Sequence, residues 1–172
     1  RCHGPGCWSL LVRQPITKAR DMKAADVESY LHTHIPQSIS MGVRVTRVDA
    51  TGVCLTAPLA PNINHRGTIF GGSAASVAML AGWALVHARL HGQPGVRLVI
   101  RRQQMEFNAP IDGDFEAICD DPGPDAWSVF DRALQERGKG RVTLNVRLVR
   151  GDSDLATFEG VYVAVQSDDS QP

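Results

Sequence analysis

The chain has 172 residues, and its 18 Lys+Arg balance its 18 Asp+Glu. A chain of this length fills one domain that buries roughly 70% of its unfolded surface, and a cancelled charge gives no global field toward nucleic acid or an acidic membrane. The ligand class left is a neutral small molecule, or an anion held by a few local arginines.

Residues 1–20 begin with Arg and mix Gly, Pro, Cys and basic residues without periodicity, which reads as a linker or a processed start. The chain therefore divides into a flexible segment over 1–22, one domain over 23–166 and a loose acidic tail over 167–172. Trp8–Val12 is too short for a signal-peptide core. Cys2, His3 and Cys7 offer three donors where a closed zinc site takes four, so no metal site is expected. The cysteines at 2, 7, 54 and 119 are scattered, the pattern of free thiols in a reducing, cytoplasmic compartment.

Val27, Tyr30, Leu31 and Ile35 have helical spacing from Ala24 to His34, and Pro36 stops the pattern. Ile39, Met41, Val43 and Val45 alternate with polar residues or glycine and predict a strand, with a bulge or end at Arg47-Val48. Asp49–Gly52 supplies a turn, Val53–Ala57 returns, and Pro58 and Pro61 break the ladder. A glycine-punctuated polar loop, Asn62–Ser73, then leads into an apolar run to about Leu90, with Ser73 as the expected N-cap. The stretch Ile69–Val86 is uncharged and long enough to span a bilayer, but Gly, Ala and Ser make up about half of it, which suits enclosure by a protein sheet better than lipid. Gly82 in this helix predicts close approach of another backbone.

Val96–Phe107 reads as a long strand, Asn108–Asp114 as a break, and Phe115, Ala117 and Cys119 as a further strand. Trp127, Phe130 and Leu134 mark a helix opened by Pro124 and ended by Gly138. Val142–Leu148 and Leu155–Val165 form the last two strands around a turn at Gly151–Asp154. The order is not strict strand–helix alternation, so the expected fold is α+β: an antiparallel six-stranded sheet wrapped around one long helix, a hot-dog architecture.

The segment Asn64-His65-Arg66-Gly67-Thr68-Ile69-Phe70-Gly71-Gly72 resembles the loop of hot-dog acyl thioesterases. Phe107–Asp114 with Glu116-Ala117 resembles their strand–Pro–Gly-Asp corner, and Lys139–Arg141 with Ala156–Ala164 their closing hairpin. Together these residues resemble the YiiD C-terminal thioesterase-domain family over about residues 24–165. The resemblance implies hydrolysis of acyl-coenzyme A or acyl-carrier-protein thioesters, no cofactor beyond the coenzyme A or phosphopantetheine of the substrate, and a homodimer or dimer of dimers with shared sites. Two departures matter. Phe70 stands at the position of the motif's His, Met79 at that of the usual helix carboxylate, and no Asp or Glu occurs between Asn62 and Val86.

A thioester is already activated, so a polarised carbonyl and a positioned water suffice. Backbone N–H groups of Gly71, Gly72 and Ser73 at the helix start are the candidate oxyanion donors. Asn64 is the candidate to orient water or carbonyl, unless it only braces the loop. His65 is the candidate general base. Asn62, Gly67, Thr68 and Phe70 are the remaining loop candidates for substrate contact; capping or turn bonding competes for the hydroxyls of Thr68 and Ser73. Glu106 is the candidate carboxylate from another strand. Arg97, Arg101 and Arg102 form a basic strip suited to carrier phosphates. His87 and His91, at the far end of the long helix, suit cationic or capping roles. The alternatives are a hydratase or dehydratase on the same fold, and a non-catalytic acyl-thioester binding module.

Overall fold

The computed structural model describes residues 22–167. Helix α1 (Ala24–His34), helix α2 (Gln37–Ser40) and strands β1 (Arg44–Asp49) and β2 (Gly52–Ala57) lead into the long helix α3 (Gly71–Arg89). Strands β3 (Val96–Phe107) and β4 (Phe115–Asp120), helix α4 (Pro124–Arg137) and strands β5 (Lys139–Arg150) and β6 (Ser153–Gln166) complete it. The six strands form one antiparallel sheet in the order β1-β2-β4-β5-β6-β3, curled around α3. The α+β hot-dog fold expected from the sequence is the fold observed. The apolar character that gives α3 the length and hydropathy of a membrane span is turned on the sheet, with Val77, Ala78, Ala81, Ala84, Leu85 and Ala88 all buried.

The expected strand from Ile39 does not form. Residues 37–40 are helical instead, closed by Gly42 at φ 67° with Val43 N–H donating to Ser38 O and Gly42 N–H to Ile39 O. That pair of bonds is a Schellman ending, which needs a left-handed residue and finds a glycine. The bulge in β1 lies between Val45 and Arg47, just before the expected place. Among the described residues Cys54 and Cys119 are free thiols, and burial pushes Cys119 up to about 12. The readings on Cys2, His3 and Cys7 fall outside the described residues.

Gly82 does face a close neighbour, but it is a side chain rather than a backbone. A Cβ there would lie 2.6 Å from Tyr162 Cζ. The fully buried Tyr162 donates its hydroxyl to Met79 O at 2.9 Å, clamping β6 onto the middle of α3.

The two sheet edges differ. At the start of β1, Val45 N–H donates to Glu28 Oε2 at 2.8 Å, and His32 Nε2 donates to O of the preceding Val43 at 2.9 Å, so α1 caps that end of the edge. The β3 edge has no strand partner on its far side among the described residues, and it exposes Val99 and Phe107.

Candidate active site at the start of the central helix

The loop before α3 is a short hairpin. Phe70 N–H donates to Asn62 O at 2.7 Å, Ile63 and Ile69 form a bridge, and Asn64 N–H donates to Thr68 O at 2.7 Å. Gly67 takes φ 78° at the tip, a conformation a β-carbon would strain. Ile69 N–H donates to Ile111 O at 2.7 Å, which ties the hairpin to the Pro-Gly corner after β3.

Asn64 is fully engaged inside this hairpin. Its Nδ2 donates to Thr68 Oγ1 at 3.0 Å and to Ile69 O at 3.2 Å, while its Oδ1 accepts from Arg66 N–H at 2.7 Å and Thr68 N–H at 3.4 Å. The bracing role therefore describes Asn64 in this chain. Asn62 is not at the surface of the site: it is 2% exposed, and its Nδ2 donates to Met41 O and Pro58 O, both at 2.8 Å. It fastens the hairpin base to the α2–β1 turn.

The helix begins at Gly71, with Phe70 as the N-cap residue rather than Ser73. Phe70 supplies no side-chain cap; its backbone is held by Asn62 O and its carbonyl accepts from Ala74 N–H at 3.0 Å. The N–H groups of Gly71, Gly72 and Ser73 consequently have no backbone or side-chain acceptor among the described residues. They form the positive end of a 19-residue helix. The exposed Phe70 ring folds over Gly72, where a Cβ would lie 3.0 Å from its Cζ, and Phe107 stands 3.3 Å from a Cβ on Gly71. Both glycines keep these aromatic rings close to the bare helix start.

A cavity of about 440 Å³ opens at this point, lined by Thr68, Ile69, Gly71, Phe107, Asn108 and the Ala109–Ile111 turn. That volume lies within the range of ligand sites, roughly 300–1,000 Å³. Asn108 is the group that sequence reasoning passed over. Its backbone donates to Leu155 O at 2.9 Å while its side chain is left at the cavity wall. The signal for it was its place at the end of a strand, directly before the Pro-Gly corner.

Several expected site residues lie elsewhere. His65 is exposed at the hairpin tip, where its one hydrogen-bond neighbour among the described residues is Arg66 Nε at 3.4 Å, and it does not line this cavity. β3 carries a bulge between Ile100 and Arg102, which reverses the strand's inward and outward positions. Beyond it Gln103, Met105 and Phe107 face α3, while Arg102, Gln104 and Glu106 pair with Val161, Glu159 and Thr157 on the opposite face. Glu106 is thus turned away from the helix start in its own chain, and Arg102 is engaged with Glu159 at 2.9 Å. Arg101, the residue left unpaired at the bulge, is exposed.

At the other end of α3, burial pushes His87 down to about 4, helped by His91 and His34. It stacks on Trp83 at 4.6 Å and lies 4.2 Å from Tyr30, so a neutral ring in an aromatic column replaces the expected cationic role. Among the described residues no group of three or more His, Cys, Asp or Glu is placed to hold a metal ion.

Residues 24–166 match the YiiD_C family, described as "Putative thioesterase (yiiD_Cterm)". The chain belongs to the YiiD_C family. Its hairpin and helix start fall inside the matched residues. A protein of unknown function from Chlorobaculum tepidum TLS superposes with TM-score 0.78 at 27% identity, covering 84% of this chain and 94% of that one. The "putative thioesterase" from Shewanella oneidensis gives TM-score 0.73 at 27% identity, covering 83% and 96%. A thioesterase from Haemophilus influenzae, at 9% identity and TM-score 0.71 over 90% and 99%, shares the fold. The YiiD_C match and the Shewanella oneidensis structure support thioester hydrolysis as the general class of chemistry.

Proposed function

We propose that this YiiD_C protein hydrolyses acyl thioesters of coenzyme A or acyl carrier protein to a free acid and a thiol. The observation that carries the reading is the bare helix start: three unpaired N–H groups with the dipole of α3 behind them, beside a ligand-sized cavity. As water adds, the thioester carbonyl oxygen becomes negative, and donors already fixed in place stabilise it by roughly 3 kcal/mol each. Asn64 acts as a positioning residue that holds Thr68 at the cavity wall. Asn108 and the Thr68 hydroxyl orient the water. The reaction needs no cofactor beyond the substrate's own carrier, and its setting is cytoplasmic.

The working form is a homodimer or dimer of dimers, paired along β3, where twelve residues run without a strand on their outer side. His65, outside its own chain's cavity, serves as the proton acceptor in the cavity of the second copy. Arg97 and Arg101, exposed on β3, meet the carrier phosphates. Steady-state assays with short, medium and long acyl-coenzyme A and with acyl carrier protein test the reading; no turnover with any of them refutes it. His65→Ala is expected to lower kcat at least 100-fold, and unchanged turnover removes that assignment.

A second reading is a non-catalytic acyl-thioester binding module. It is favoured by one observation: among the described residues no Asp or Glu lines the cavity at the helix start. Tight binding of an acyl-coenzyme A without turnover selects it.

A further inference from the structure

A second, smaller cavity lies farther along the same helix. It measures about 190 Å³, and its apolar walls are Ile35, Met41, Met79, Leu80, Trp83 and Ile100. Its two polar side chains are Gln37 and Ser76, and the Ser76 hydroxyl is already committed to Gly72 O at 2.8 Å. Among the described residues no charged group lines it.

The slot lies along the same helix as the bare N-terminus. Gly72, Ser76, Met79 and Trp83 are spaced four, three and four residues apart, which places them on one stripe of α3. From Gly72 to Trp83 that stripe runs roughly 16 Å at 1.5 Å per residue. Ile35 from the α1–α2 turn and Met41 at the end of α2 form one wall, and β3 forms the other through Ile100. The far end is rigid. Trp83 stacks on His87, which packs on Tyr30, which stacks on His34 at 4.0 Å.

We infer that this slot receives the acyl chain of the thioester and that Trp83 sets the longest chain it accepts. The inference rests on the thioester reading of the helix start. A volume below the roughly 300 Å³ of ordinary ligand pockets suits an unbranched hydrocarbon and excludes the carrier or a bulky ring system. An uncharged lining also selects against acyl groups that carry a carboxylate, whose burial without a cation is costly. Each methylene taken into the slot raises kcat/KM about fourfold, the equivalent of about 0.8 kcal/mol, until the chain meets Trp83.

The test is kcat/KM for acetyl-, butyryl-, hexanoyl-, octanoyl-, decanoyl- and dodecanoyl-coenzyme A with the wild type, Trp83→Ala and Ile100→Phe. The wild type is expected to rise with chain length and then fall. Trp83→Ala moves the maximum to longer chains, with at least a tenfold gain in the long-to-short ratio, and Ile100→Phe moves it to shorter ones. Should Trp83→Ala fail to fold, Ile100→Phe on the half-exposed edge strand carries the same question. Turnover whose chain-length profile neither variant moves overturns the slot and leaves hydrolysis standing. Calorimetric titration with straight-chain fatty acids provides the complementary arm. Length-dependent binding that Ile100→Phe shortens supports the slot even where no thioester is turned over, and such a result refutes hydrolysis alone. Absence of both turnover and length-dependent binding overturns both.

Discussion

Replacing Gly82 by Ala should destabilise the protein, against the usual trend. In an ordinary helix interior the change gains about 1 kcal/mol in propensity. Here the new Cβ would lie 2.6 Å from Tyr162 Cζ, where carbon atoms prefer about 3.5 Å or more. The phenol is fully buried, so its ring must retreat by roughly 1 Å into packed surroundings, at about 1–3 kcal/mol. That retreat also breaks the 2.9 Å bond to Met79 O and strands a buried hydroxyl, at a further 1–3 kcal/mol or so. After subtracting the helix gain, the net loss is about 3 kcal/mol, a large part of the roughly 5–15 kcal/mol that stabilises a domain. Urea unfolding of Gly82→Ala, Tyr162→Phe and the double variant measures it. The double variant should be less destabilised than the sum of the singles by at least about 1 kcal/mol, because removing the hydroxyl removes the atom nearest the new methyl. A Gly82→Ala protein as stable as the wild type, or more so, would refute the clamp between α3 and β6.

Other perturbations separate stability from activity. Gly71→Ala should leave stability within about 0.5 kcal/mol, because the neighbouring Phe107 ring is exposed and can swing aside, yet lower kcat/KM about 100-fold by filling the space at the helix start; paired melting and acyl-coenzyme A assays check both halves. Asn62→Ala removes the donor of two 2.8 Å bonds and should cost about 2–4 kcal/mol in urea unfolding, with Asn62→Asp costing more because a buried carboxylate would face two carbonyls. The depressed His87 makes stability depend on pH in a definite direction. Between about pH 6.5 and 4 the unfolded chain binds a proton that the folded one refuses, so stability falls as pH is lowered through that window and levels off below it. His87→Gln should flatten that part of the curve in unfolding measured across pH, and an unchanged slope would show that the imidazole is not desolvated by its column.

Elements whose residues alternate or repeat without interruption were legible in the chain. The inward positions of β5, Val142, Leu144, Val146 and Leu148, are all buried, and so are Trp127, Phe130 and Leu134 on α4. The misreadings share a cause in features that periodicity does not register. Ile39, Met41, Val43 and Val45 look like a strand because a short helix followed by a Schellman turn happens to give apolar residues at every second position. The bulge in β3 falls beside the polar run Arg101-Arg102-Gln103-Gln104, which has no apolar alternation to reveal a reversal of faces, so the side of the sheet that Glu106 takes was not legible. At the site, the glycine pair and the loop could be read directly, whereas the committed bonds of Asn64, the burial of Asn62 and the cavity-side place of Asn108 depend on contacts with distant segments. His87 is set by Tyr30 on α1, more than fifty positions away in the chain.

The unequal edges of the sheet also bear on how far strand-to-strand growth can proceed. Glu28 already occupies the N–H of Val45 at the start of β1, and His32 the carbonyl of Val43 just before it, so an incoming strand finds those two bonding positions taken. Among the described residues β3 is the longer uncovered edge, and a pairing of β3 with β3 uses the same edge on both molecules, which leaves only the partly capped β1 edge at either end. The caps on β1 thus work against further addition along the sheet once β3 is paired. Removing the two α1 side chains would free Val45 N–H and Val43 O and weaken that safeguard.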